Sequence, residues 1–237
     1  MSHRLTRMTS CRIILALLAA FLTLAAAPAR ATDSHEYAKD EYAVIRDGLA
    51  PNKRMSLASH GDGEGNENFH VWLMAEPAHR RIVRLPGIGP DGILDTGPNA
   101  YRTTWALDSR HVAVNYRSDR HVLELNLYSV EHGRALPISG PSLFKDVTSR
   151  NVGEDEHFGH RVSTIEWTGT RRFRLREHHL FQTSNMNFTR LLGAYGKLAQ
   201  KLDDGRSMVE FSAEADCVLI SGHRYRIVDL RVGKFDK

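Results

Sequence analysis

Cysteine is nearly absent: the 237 residues hold two, Cys11 and Cys217. So sparse a set does not build a disulfide scaffold, and no Cys-x-x-Cys pair offers thiol redox or zinc-ribbon chemistry. Equally missing are Gly-x-Ser-x-Gly, the Walker A phosphate loop and His-Glu-x-x-His, the common signatures of α/β-type hydrolases, P-loop nucleotidases and zinc peptidases. One dinucleotide-type match, Gly87-Ile-Gly89-Pro-Asp-Gly92, puts Pro90 and Asp91 where a phosphate needs free N–H groups and no negative charge. No helical pattern follows it, so it reads as a surface loop. Acidic residues are absent from the first 31 positions. Beyond those positions no apolar run approaches the roughly 20 residues of a membrane span.

The first 31 residues carry Arg4, Arg7, Arg12 and Arg30, an apolar stretch from Ile13 to about Ala27, and a small-x-small site at Ala29-Arg30-Ala31. This is the pattern of a secretory signal peptide, with a mature chain from Thr32 and a periplasmic or secreted destination. Cys11 precedes the apolar stretch, which argues against a lipoprotein anchor. Cleavage leaves Cys217 alone in the run Cys-Val-Leu-Ile, where it reads as a small buried hydrophobe. Cleavage also removes four of the 32 basic residues and none of the 28 acidic ones, leaving 28 of each. The high pI of about 9.2 therefore belongs largely to the leader, and nucleic acid is not an expected partner.

Residues 32–237 read as one all-β domain of repeated turn-and-strand units. Four segments align: Leu49 to Ala58, Trp105 to Val114, Trp167 to Arg176, and Phe211 to Ile220. Each begins with a large apolar residue, passes a turn and enters a short strand. In the first two, Asn52 and Asp108 sit in the bend, where their side chains can hydrogen-bond the local backbone. Unit one reads as strands over Tyr42–Arg46, Met55–Ser59, Phe69–Ala75 and Arg81–Leu85. Unit two reads as Tyr101–Ala106, His111–Arg117, Val122–Val130 with period-2 alternation, and Ala135–Ser139. Leu191, Tyr195, Leu198 and Leu202 recur at helical spacing, which predicts a short amphipathic helix over Thr189–Leu202 between units three and four. Gly193 and Gly196 weaken that pattern, and a pair of irregular strands is the alternative.

Ala-Pro-Asn-Lys-Arg at 50–54 and Ala-Leu-Asp-Ser-Arg at 106–110 resemble the turn preceding a strand in TolB-like and WD40-like β-propeller repeats. The third and fourth copies lack the Pro and Asp. The resemblance implies a propeller-like meander of about four blades over residues 42–233, open or partial, acting as a binding or scaffold module.

Candidate chemistry is sparse. Asp62, Glu64 and Asn66 alternate with glycines in the 60–68 loop and could turn oxygens toward a cation, but the loop lacks a bidentate twelfth ligand and reads as a polar hairpin loop. His157 and His160 stand at His-x-x-His spacing beside Glu154 and Glu156 without a third ligand fixed by sequence. His178 and His179 point to opposite faces of a strand and do not chelate together. No metal or cofactor is expected. In Arg172-Phe-Arg174-Leu-Arg176, alternation places three guanidiniums on one face. They serve either as the solvent side of an amphipathic strand paired to nearby acids, or as a partner-binding stripe for a protein or another anionic envelope component. The expected function is an exported β-repeat module that binds an envelope component. The alternative is a hydrolase or lyase that gathers His60, His157 or His160 with carboxylates on inter-strand loops.

Overall fold

The computed structural model describes residues 32–61, 68–152, 157–220 and 223–233. The expected leader lies outside the described residues, as do Asp62, Glu64 and Asn66, Glu154 and Glu156, and the side chain of His157. The described chain is mostly strand, in three successive groups.

The first group is an antiparallel meander of β1 (Ala43–Leu49), β2 (Met55–His60), β3 (His70–Ala75) and β4 (Arg80–Arg84). The second repeats it with β5 (Arg102–Trp105), β6 (His111–Asp119), β7 (Val122–Glu131) and β8 (Arg134–Ile138). The third holds helix α1 (Leu143–Thr148), β9 (His157–Trp167), β10 (Arg172–Thr183), helix α2 (Met186–Gly193), β11 (Gly196–Lys201), β12 (Ser207–Leu219) and β13 (Tyr225–Val232). β10 lies between β9 and β12, while β11 and β13 share the far side of β12. The groups join through short parallel contacts, Arg46 beside Arg102 and Val122–Leu123 beside Arg161–Val162. The result is one open mixed sheet of 13 described strands that ends at β4 on one side.

The turns form as their side chains dictate. Asn52 Oδ1 accepts from Arg54 N at 2.8 Å, and Asp108 Oδ1 from Arg110 N at 2.9 Å. In both turns the next residue, Lys53 or Ser109, takes φ 57°. Both close through an alanine amide, Ala50 N to Met55 O and Ala106 N to His111 O, each 2.9 Å. The third turn lacks the Asn or Asp and is tighter, with Thr168 N donating to Arg172 O.

The tryptophans tie one unit to the unit before it. Trp105 Nε1 donates to Gly48 O at 3.1 Å, and Trp167 Nε1 to Thr104 O at 2.9 Å. Gly48 and Thr104 each immediately precede the large residue that opens their own repeat. Leu49, Trp105 and Trp167 therefore occupy corresponding places.

Two expectations need correction. The fourth aligned segment contains no turn: Phe211 to Leu219 runs straight through β12. Ser212 to Asp216 holds neither Pro nor Gly, and its backbone is paired with β10 on one side and with β13 from Ala213 onward on the other. Ala213, Ala215 and Cys217 alternate into the core, so a turn there would break two ladders and expose that row. The predicted helix is also displaced. It spans Met186–Gly193, where Asn185 Oδ1 accepts from Asn187 N and Phe188 N and the buried face is Phe188 and Leu192. The chain then enters β11, so the helix and strand readings each hold for half of the segment.

Two apolar clusters back the sheet. Ile45, Leu57, Phe69, Leu73, Tyr101 and Tyr128 fill the first, and Phe144, Phe173, Phe181, Phe188 and Phe211 dominate the second. Cys217 is buried in the second, where desolvation pushes its thiol up to about 12 and leaves it protonated at neutral pH. The segment before β1 is docked rather than trailing: Asp33 N donates to Asp95 Oδ1 at 2.7 Å, and the Tyr37 hydroxyl lies 2.6 Å from Thr96 O.

Candidate functional site

The arginine stripe on β10 alternates as expected, with Phe173 and Leu175 buried behind it. Its charge is largely matched within the sheet. Arg176 Nε donates to Glu214 at 2.5 Å, and Arg174 Nε lies 3.3 Å from Asp216 and 3.5 Å from Glu214. Arg174 and Arg176 both approach Glu166, at 3.8 and 3.7 Å, and Arg231 from β13 adds contacts of 3.0 Å to Glu214 and 3.2 Å to Asp216. Acids on the flanking strands thus share the guanidiniums, which ties β9, β10, β12 and β13 together across their solvent face. Arg172, at the end of the stripe, has no carboxylate partner among the described residues.

The opposite face of β10 holds a buried polar pair that the sequence reading passed over. Glu177 accepts from Leu143 N and Phe144 N, each at 3.1 Å, which fastens α1 to the sheet. Burial raises its carboxyl above the ordinary range, against the pull of those amides. His179 lies beside it, Nε2 to Oε2 3.6 Å, among the rings of Phe144, Phe181 and Phe211. Burial pushes its imidazole down to about 3, so it is neutral at physiological pH. A 330 Å³ cleft beside the pair is also lined by Glu124, Arg161, Ser142 and Ser163. His178 faces the other side as expected, its Nδ1 2.9 Å from Ser212 Oγ.

Of the other candidate histidines, the described His60 and His160 stand on separate strands, β2 and β9. His60, on β2, has Nδ1 2.6 Å from Glu41 O and stacks on Tyr42. His160, on β9, lies near His178 with ring centres 6.3 Å apart. No group of three or more His, Cys, Asp or Glu side chains with metal-binding geometry occurs among the described residues. The Gly87–Gly92 run forms turns and bends and opens no helix, the next being a single 3-10 turn at Pro98–Ala100.

A second cationic surface, this one with aromatic neighbours, lies on the first meander. Register places Val44, Ala58, Trp72 and Arg84 in one row across all four strands, on the face opposite the core. The Arg81 guanidinium sits 5.3 Å from the ring centres of both Tyr42 and Trp72, and Arg84 lies 5.9 Å from Trp72. Stacking of this kind orients a guanidinium without consuming its in-plane donors. Arg84 Nη1 donates to His70 Nε2 at 2.8 Å, so that nitrogen acts as an acceptor. Burial and then the Arg84 charge hold the His70 imidazole below its usual range. Neither Arg81 nor Arg84 has a carboxylate partner among the described residues. The indole Nε1 of Trp72 is buried and has no hydrogen-bond partner there. Alongside runs a 750 Å³ groove between β4 and the 85–91 loop, lined by His70, Trp72, Val83, Arg84, Pro86 and Ile88. Tyr128 holds that loop through a 2.7 Å hydrogen bond to Pro86 O.

The sequence signal for this face was present in Arg80-Arg81-Ile-Val-Arg84 and in His70-Val-Trp72. It becomes legible only once the register of β3 against β4 is known. Fold and site together define a class, an open all-β mixed sheet with a cation–aromatic face. No known protein family, curated protein or solved structure matches the chain.

Proposed function

We propose that the mature chain is an exported binding module of three propeller-like repeats in an open array, and that its working surface is the outer face of the first meander, which takes an anionic envelope component. The observation that carries this is the contrast between two arginine sets. Arg174 and Arg176 are matched by Glu166, Glu214 and Asp216. Arg81 and Arg84 rest on aromatic rings with no described carboxylate. A guanidinium already paired to carboxylates must break those contacts to bind an anion, whereas Arg81 and Arg84 keep in-plane donors for one, even with Arg84 bonded to His70. The arginine stripe on β10 then serves chiefly to hold strands together, with Arg172 its available end.

Co-sedimentation of the mature protein with envelope fractions of the producing cell tests this. Arg81→Gln with Arg84→Gln should weaken retention by about tenfold or more, and Arg174→Gln with Arg176→Gln by much less. Added salt should weaken wild-type retention, because exposed charges are screened beyond about 8 Å at physiological ionic strength. Equal loss from both pairs, or loss from the β10 pair alone, would contradict this assignment.

A hydrolytic reading has one specific support. His111 Nδ1 lies 3.1 Å from Asp108 Oδ2 beside a 490 Å³ cleft, and Ser129 stands directly across the ladder. The Ser129 hydroxyl donates to Glu131 at 2.8 Å, which points it away from a nucleophile's task. Covalent labelling of Ser129 by a fluorophosphonate probe, lost in His111→Ala, would establish this reading in place of the binding one.

A further inference from the structure

We infer that β4 is a docking edge for an extended, acidic segment of a partner polypeptide, which adds to the first meander as a fifth strand. This rests on the first meander being the working face and specifies what that face binds.

β4 ends the sheet: it pairs with β3 on one side, and no described strand pairs with the other. An edge strand presents a row of backbone N–H and C=O groups to any chain that lies alongside. The 750 Å³ groove follows this strand, since Ile82, Val83, Arg84 and Leu85 all line it and the Pro86–Asp91 loop forms its far wall. Apolar lining from Val83, Pro86 and Ile88 offers contact to alternate side chains of an added strand.

Charge selects the occupant. Arg80, Arg81 and Arg84 make up three of the five residues of β4. A second copy of this chain pairing edge to edge would set those arginines against their own kind, and directly opposed like charges destabilise a ladder. Arginines on an edge thus block self-association while admitting an acidic strand. Arg81 and Arg84, oriented by Tyr42 and Trp72, supply donors for its carboxylates. A membrane surface fits less well. The large apolar side chains that stand most exposed, Leu107 and Met186, lie outside this meander, and Val44 is the exposed one in its row.

Calorimetric titration of the mature protein with a short peptide of alternating Glu and Val tests the inference, against the same peptide N-methylated on alternate backbone amides and against oligogalacturonate. Pairing requires that the peptide bind, that N-methylation weaken binding by about tenfold or more, and that Arg81→Gln with Arg84→Gln do likewise. Amide exchange should slow at Ile82–Arg84 on binding, with β10 unaffected. If the N-methylated peptide binds equally well, or oligogalacturonate displaces the peptide while leaving β4 exchange unchanged, the face reads anionic charge and not a strand. Absence of peptide binding would also overturn the inference. Any of these results leaves the envelope co-sedimentation result standing, whereas failure of the Arg81 and Arg84 variants there removes the face itself.

Discussion

At Gly48 a single added carbon would be enough to disturb the seam between the first two units. A Cβ there would sit 2.6 Å from Leu57 O and 2.7 Å from Ile45 O, both backbone atoms with little freedom to yield. Gly48 O also receives the Trp105 indole. Gly48→Ala should therefore destabilise the protein by about 1–3 kcal/mol, read as a lower urea midpoint. His179 carries a second residue-scale expectation. Its folded pKa is about 3 against an ordinary 6.5, so below pH 6.5 the unfolded chain takes up a proton that the folded chain refuses. Its stabilising contribution is whole above pH 6.5 and is lost progressively as the pH falls toward 3. Glu177 acts with the opposite sign: its raised pKa favours the folded state at low pH, and that advantage fades as the pH rises past 4.5. The two act in opposite directions and His179 is the one that lowers the thermal midpoint on acidification, so His179→Gln should shift the pH profile toward higher relative stability in acid. An unchanged pH profile in the variant would show that burial of this imidazole is not what the acid limb reports. Asn52 and Asp108 were legible in the sequence because their partners lie two residues away. The role of Glu177 was not, because the amides it receives are 33 and 34 residues distant.

Elements follow the same rule of distance. Both four-strand meanders were readable, strand by strand, because each strand pairs with its neighbour in sequence across a short turn. The continuity of β12 was not, since the pattern Phe-Ser-Ala-Glu-Ala-Asp-Cys is compatible with a turn until β10 and β13 are known to flank it. The displaced helix has a local cause that the hydrophobic spacing concealed: Asn185 caps it at Thr183–Phe188, upstream of the leucine pattern. The Trp105 and Trp167 hydrogen bonds give the repeat relation an energetic test. Trp→Phe at either keeps a ring and removes one partly buried hydrogen bond to a carbonyl, so each should cost about 1 kcal/mol, and the two should be alike. If one site costs that much and the other nothing, the units are not equivalent where it matters.

At the scale of the whole molecule, the chain from Thr32 onward balances 28 basic against 28 acidic residues, yet the balance is uneven in space. Arg174, Arg176 and Arg231 on β10 and β13 are opposed by acids on β9, β12 and β13, while Arg81 and Arg84 on β4 rest on aromatic rings at the open end of the sheet. That unevenness was invisible in composition, because pairing is decided by a register that only long-range contacts fix. An open or partial sheet was among the expectations, but the parallel junctions of one to two paired residues by which the groups join were hidden. The most direct test is site-specific photocrosslinking in the producing cell, with the photoreactive residue placed at Arg80 on the edge strand or at Arg172 on the arginine stripe. A discrete crosslinked partner from position 80, abolished by Arg84→Glu and lacking from position 172, is the expected result. Crosslinks arising from position 172 and none from position 80 would contradict it and move the binding face to the third unit.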